Sequence, residues 1–260
     1  FMGDQATYYS DPAFPSRTRY IPVVLAADRL ANCEGLTRAE LDAVALASQE
    51  KAHRAETTPE LLRSRIPTGA LEAEECPRPG TDAQGLAAMP PAFGALQDDY
   101  ADALGSARFE PLHTLGHAPP VCDGAGLALL AGSGQGRARA RVVAFAESGG
   151  DPAASLTAGL MAMDRVLARA GLTLDQIDRI EFMESFAVSI AKFMRDRQPD
   201  PARVNVSGGH IAKGHPMGAT GAILLSTLLD CLDACDGRLG LVVVSGAAGT
   251  GAAMVVERLD

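Results

Sequence analysis

Two apolar, Val-rich runs close this chain, Leu239 to Val244 and Ala252 to Glu257, joined through the glycine-rich segment Ser245 to Gly251. Strands that apolar are usually buried on both faces, so they need helices above and below them. Upstream the pattern alternates. Arg141 to Ala146 reads as a strand. Pro152 to Ala170 reads as a helix, with Leu156, Leu160, Met163 and Leu167 on one face and Gly171 placed as its left-handed stop. Ile177 to Phe182 reads as a short strand, Ala187 to Arg195 as a short helix, and Val204 to Val206 as a strand entering the turn at Gly208-Gly209. Gly218 to Leu232 reads as a long apolar helix. This alternation predicts a layered α/β domain whose last two strands form a hairpin.

The region before about residue 120 is different. Prolines from Pro12 to Pro120 punctuate it, and each fixes φ and removes a donor. Two helices still read through. Asp28 is placed to cap a short one from Arg29 to Asn32, and Thr37-Arg38-Ala39-Glu40 is a capping box opening a helix from Ala39 to Ala55. The rest reads as loops and short helices lying on something larger. The length of 260 residues fits one large domain or two modest ones.

Charge excludes some function classes. With Lys+Arg 23 against Asp+Glu 32 the net charge is −9, so nucleic acid and anionic membrane surfaces are not expected partners. No apolar run approaches the roughly 18 residues of a spanning helix, so no membrane span is expected. The start, Phe1-Met2-Gly3-Asp4, lacks a signal-peptide pattern, and the five cysteines have no framework spacing. The expected setting is cytoplasmic, with reduced thiols.

Three motifs stand where such folds place chemistry, in loops after strands. In Gly208-Gly209-His210-Ile211-Ala212-Lys213-Gly214-His215-Pro216-Met217-Gly218-Ala219-Thr220-Gly221 the glycines permit tight turning and close approach of a ligand, and Pro216 fixes the segment holding His215. A histidine so held suits proton transfer near neutral pH; its plainer reading is a buried ring tied to the backbone. The Ser245 to Gly251 loop offers backbone N–H groups at Gly246 and Ala247 for an oxyanion, or is simply a hairpin loop. Glu184-Ser185-Phe186-Ala187 lies at a strand-to-helix junction, where Ser185 could serve as an N-cap.

Together these residues resemble the thiolase family. The Gly-His-Pro-x-Gly-Ala-Thr-Gly run around His215 is similar to that family's histidine motif, and Glu184 to Ala187 to its Asn-Glu-Ala-Phe-Ala segment. Asp123-Gly124-Ala125 resembles the Asn-Asp-Gly-Ala-Ala strand closing the family's first core domain, and Ser245 to Gly251 its Cys-x-Gly-Gly-Gly loop. The resemblance implies a layered αβαβα fold: 1–120 as the remainder of a loop domain, 121–133 as the last strand of the first core domain, and 134–260 as the C-terminal domain. It implies acyl transfer on coenzyme A thioesters, with no covalently bound cofactor and no metal. The partners implied are acyl-CoA and either a homo-oligomer, dimer or tetramer, or a chain carrying the N-terminal half. His215 falls on the histidine that activates a nucleophilic cysteine. Glu184, Phe186, Met183 and Pro119 fall on the substrate pocket.

The sequence also departs from the pattern. The family's nucleophilic cysteine belongs to a region before Phe1, and none of Cys33, Cys76, Cys122, Cys231 and Cys235 has its context. Cys231 and Cys235, one turn apart on an apolar helix, read as buried inert thiols. Ser245 replaces the second catalytic cysteine, and an aliphatic hydroxyl is a poor proton carrier at neutral pH. Met183 replaces the asparagine that would hold an oxyanion water, and Pro119 replaces a serine that meets the coenzyme arm. Thr81 to Phe93 contains no Lys or Arg, leaving Arg17, Arg19 and Arg78 as phosphate-contact candidates. Two readings follow: an acyl-CoA acyltransferase inactive as this chain alone, or a thiolase-like non-catalytic subunit supporting a catalytic partner. A third is a truncated pseudo-enzyme without a present role.

Overall fold

The closing hairpin is the spine of the fold. In the computed structural model, which describes residues 11, 13–18, 20–69, 71–105, 107–132 and 136–259, four strands form one sheet. They are β1 (Ala140–Gly149), β2 (Arg179–Phe182), β3 (Leu239–Gly246) and β4 (Thr250–Arg258), in the order β1-β4-β3-β2. β4 runs antiparallel to both β1 and β3, and β2 runs parallel to β3. The helices used below are α1 (Val23–Glu34), α2 (Arg38–Ala55), α3 (Ala158–Ala170), α4 (Ala187–Arg197) and α5 (Thr220–Ala234).

Side chains alternate across the sheet as period 2 requires. Leu241 and Val243 turn to one face and pack with Leu160, Met163, Val166 and Leu167 of α3 and Phe193 of α4. Val242 and Val256 turn to the other and pack with Leu224, Leu228 and Leu232 of α5. The layered α/β expectation holds, with one sheet and helices on both of its faces. α1 and α2 lie outside this sandwich, packing Ala27, Leu30, Leu41 and Ala45 against Ala187, Val188 and Ala191 of α4 and against Ile211.

Local chemistry sets the ends. Glu40 N donates to Thr37 Oγ1 at 3.3 Å and Thr37 N to Glu40 Oε2 at 2.7 Å, completing the capping box. Gly171 ends α3 in the left-handed region at φ 67.

Several expectations are corrected. Asp28 is not a cap: it lies inside α1, fully buried, and its Oδ1 accepts from Leu112 N at 3.0 Å and His113 N at 2.8 Å. α1 begins after Pro22, whose ring supplies the entry geometry instead. α3 starts at Ala158, not Pro152, because the residues before it form turns, with Ser155 at φ 37. Val204 makes only an isolated bridge to Ile180. Ser185 does not cap α4; Phe186 holds that position. Cys231 is buried as expected, whereas Cys235 is exposed at the end of α5.

The strand expected within 121–133 is absent over the described residues 122–132, which lack regular structure. A strand exists through its ladder, and among the described residues this segment has no neighbouring strand to pair with. Leu127 and Leu129 stand 95% and 96% exposed. Met217–Ala234, with mean hydropathy 1.3 over 18 residues, is long and apolar enough to cross a membrane by length and composition, which corrects the sequence expectation. Its Leu224, Leu228 and Leu232 are buried against the sheet. Arg19 lies outside the described residues.

Candidate functional site

Parallel pairing of β2 with β3 sends both strands out along one sheet edge, Met183-Glu184 from one and Ser245 from the other. Glu184 turns inward. Its Oε2 accepts from Ser48 Oγ at 2.7 Å and Ile211 N at 3.1 Å, and its Oε1 accepts from Asn205 Nδ2 at 3.0 Å. Ser48 Oγ in turn accepts from Gly209 N at 3.1 Å. A Cβ on Gly209 would run into the Glu184 carboxylate, so only glycine fits. Burial pushes the Glu184 carboxyl up, while the bonds from Ser48, Asn205 and Ile211 pull it down. Glu184 therefore ties three elements, β2, α2 and the turn that leads to His215.

His215 is held from three directions. Its N–H donates to Pro120 O at 2.7 Å, and Val121 bridges to it in parallel. Its Nδ1 shares a hydrogen bond of 2.9 Å with Oγ1 of Thr220, the first residue of α5. Its ring stands perpendicular to that of His210, centroids 5.5 Å apart. Burial lowers its pKa below the usual histidine value, so the neutral ring is favoured at pH 7. Among the described residues no protein group is bonded to Nε2. In the tautomer whose Nδ1–H donates to Thr220 Oγ1, the Nε2 lone pair is the free proton acceptor.

His210 is the residue the sequence reading passed over. Its buried ring packs on His215, and among the described residues its Nδ1 has no partner. Burial, then the neighbouring His215 and Lys213, push it down to about 3, so it stays neutral. Thr220 stands within the motif without an assigned task, and Ser48 lies at helical spacing with Leu41, Val44 and Ala45, a pattern that marks one helix face but not a partner of Glu184.

Ser245 is buried, and its hydroxyl is engaged at the start of α3. It accepts from Gly159 N at 3.1 Å and donates to Leu156 O at 3.3 Å, satisfying one of the helix's otherwise unpaired first N–H groups. No hydrogen bond joins it to His215 among the described residues. Gly246 pairs with Thr250 across the hairpin, Ala247 is exposed, and Ala248 takes the left-handed conformation at φ 57 while its N–H donates to Ser155 Oγ. Met183 is buried with Leu224 and Leu228 on the α5 side of the sheet. Phe186 is buried with its ring edge-on to Phe93 and to His113. Pro119 is half-buried beside the Pro120 carbonyl that holds His215. Arg17 pairs with Asp11, and Arg78 reaches the Leu115 carbonyl.

Known proteins share sequence and fold with this chain. Residues 136–258 match the family model described as thiolase, C-terminal domain. The chain is 36% identical over 249 residues to an acetyl-CoA acetyltransferase of Pseudomonas aeruginosa, covering 90% of this chain and 60% of that protein. It is 33% identical over 253 residues to a beta-ketoadipyl-CoA thiolase of the same organism, covering 92% and 60%. The crystal structure of the Bacillus anthracis acetyl-CoA acetyltransferase superposes with a TM-score of 0.77 at 25% identity, over 92% of this chain and 60% of that one. The chain thus spans about 60% of the length of the relatives it matches.

Proposed function

We propose that this chain, which belongs to the thiolase family through its C-terminal domain, supplies the histidine half of an acyl-transfer site acting on coenzyme A thioesters. The observation that carries this reading is His215, fixed through its backbone and its Nδ1 while Nε2 stays available. In the proposed reaction Nε2 takes the proton from an attacking thiol, because the thiolate is the nucleophile. The N–H of Ala247 is the proposed oxyanion donor, and the acyl-accepting cysteine is none of the five in these 260 residues. The exposed apolar segment around Leu127 and Leu129 is covered in a dimer or tetramer or against the segment carrying that cysteine.

Two observations favour a second reading, a non-catalytic subunit. The Ser245 hydroxyl is taken up by α3, and Met183 offers no donor where the family places asparagine. Thiolysis of acetoacetyl-CoA by the assembled protein separates the two. The acyltransferase reading expects turnover that His215→Ala removes and His53→Ala spares. Turnover that survives His215→Ala contradicts it and leaves the supporting-subunit reading.

A further inference from the structure

Cys76 and Cys122 come from separate loops, yet their sulfurs crowd one spot. A Cβ on Gly214 would sit 2.6 Å from Cys122 Sγ and 2.9 Å from Cys76 Sγ. Gly214, at φ 89, carries none, and the two thiols fill the space. The two sulfurs are thus neighbours at Gly214, and Cys122 Sγ also lies 4.0 Å from Lys213 O. Both are free and half-buried rather than sealed, unlike Cys231 beside Glu181. The Cys76 loop is already anchored, since Arg78 N donates to Gln49 Oε1 of α2 at 2.8 Å. Cys122 follows the Pro120-Val121 segment that holds the backbone of His215.

We propose that Cys76 and Cys122 are an exchange site for small-molecule disulfides, closing to an intramolecular disulfide that clamps the Cys76 loop to the segment holding His215. One cysteine thiolate attacks the small disulfide, whose S–S bond breaks; a mixed disulfide forms and one small thiolate leaves. The second cysteine thiolate attacks the protein sulfur of that mixed disulfide and expels the other small thiolate. The two cysteines give up two electrons and two protons, and the reagent departs as two thiols. Burial raises both thiols, Cys122 to about 11; Glu74 raises both, Glu75 raises Cys76 and Asp123 raises Cys122, with Arg78 opposing at Cys76. The exchange is therefore slow near neutral pH and quickens as pH rises. This inference stands independently of the acyl-transfer reading.

The test uses the full chain with oxidised glutathione at about pH 8.5, where more thiolate is present, followed by alkylation in denaturant and peptide mapping. The expected product is a Cys76–Cys122 cross-linked peptide pair that dithiothreitol removes, while the exposed Cys33 and Cys235 carry glutathione. The cross-link should fall severalfold when the chain is first unfolded in urea. Cys76→Ser should leave Cys122 as a glutathione adduct or a free thiol, with no new cross-link. Recovery of both Cys76 and Cys122 as separate adducts or free thiols in the folded wild-type chain overturns the proposal, as does an equal cross-link yield from unfolded chain. Because the wild-type chain carries both decisive readings, a serine variant that fails to fold does not shelter the proposal.

Discussion

Replacing Glu184 with glutamine should loosen the turn that carries His215. The substitution keeps the volume, so no cavity opens; what changes is hydrogen bonding. The carboxylate accepts from Ser48, Ile211 and Asn205. Asn205 cannot turn to help, because its Oδ1 accepts from Phe182 N at 2.8 Å and its Nδ2 donates to Phe182 O at 2.9 Å. A glutamine oxygen placed toward Ser48 and Ile211 puts its NH2 against the Asn205 NH2. The reverse placement strands the other two donors. One bond to a charged acceptor contributes about 1.5–3 kcal/mol, and a buried unsatisfied donor costs about 1–3 kcal/mol. Relief of the buried charge offsets part of this, leaving a net loss of about 2–4 kcal/mol. With a urea m-value of about 2 kcal/mol/M the midpoint should fall by about 1–2 M, followed by circular dichroism at neutral pH. A midpoint shift equivalent to less than about 0.5 kcal/mol would refute the reasoning, because it would mean that the carboxylate is not what holds these elements together.

Further outcomes follow from the same structure. Burial raises the Glu181 carboxyl to about 8, so the folded chain holds this proton more tightly than the unfolded one and stability falls as pH climbs from about 4.5 to 8. Glu181→Gln should flatten that slope and make the chain more stable than wild type at about pH 9; urea midpoints with the wild-type slope would exclude the assignment. Thr220→Val removes the partner of His215 Nδ1 without changing side-chain volume much, and should slow thiolysis by the assembled protein about tenfold at unchanged KM. Incubation of the 260-residue chain with acetyl-CoA should leave its intact mass unchanged, and a stable acetyl adduct would contradict the reading that none of its five cysteines accepts the acyl group.

Elements whose signals are local were legible in the sequence. The Thr37–Glu40 box, the Gly171 stop and the hairpin around Ser245 each depend on neighbours a few residues away, and each formed where the pattern placed it. Asp28 misled because an acidic residue before a helical run looks like a cap, whereas its true partners, Leu112 and His113, are far along the chain. The segment after Asp123 has strand composition, but a strand also needs a neighbour, which composition does not encode. At the candidate site the His215 turn was legible as a motif. The Ser245 hydroxyl was not: its partners, Gly159 N and Leu156 O, are set by how α3 docks against β3. The bracket joining Glu184, Ser48 and Asn205 was hidden for the same reason.

The central claim is that a coenzyme A thioester meets this chain at His215. The most direct measurement is a proton NMR titration of the histidine ring signals with and without acetyl-CoA. Without ligand, His215 should titrate below the ordinary histidine value, in keeping with its burial, and His210 should remain neutral throughout the accessible range. Acetyl-CoA should shift the His215 signal and displace its titration, and leave the signal of exposed His53 unchanged. A His215 signal and titration indifferent to saturating acetyl-CoA would contradict the account.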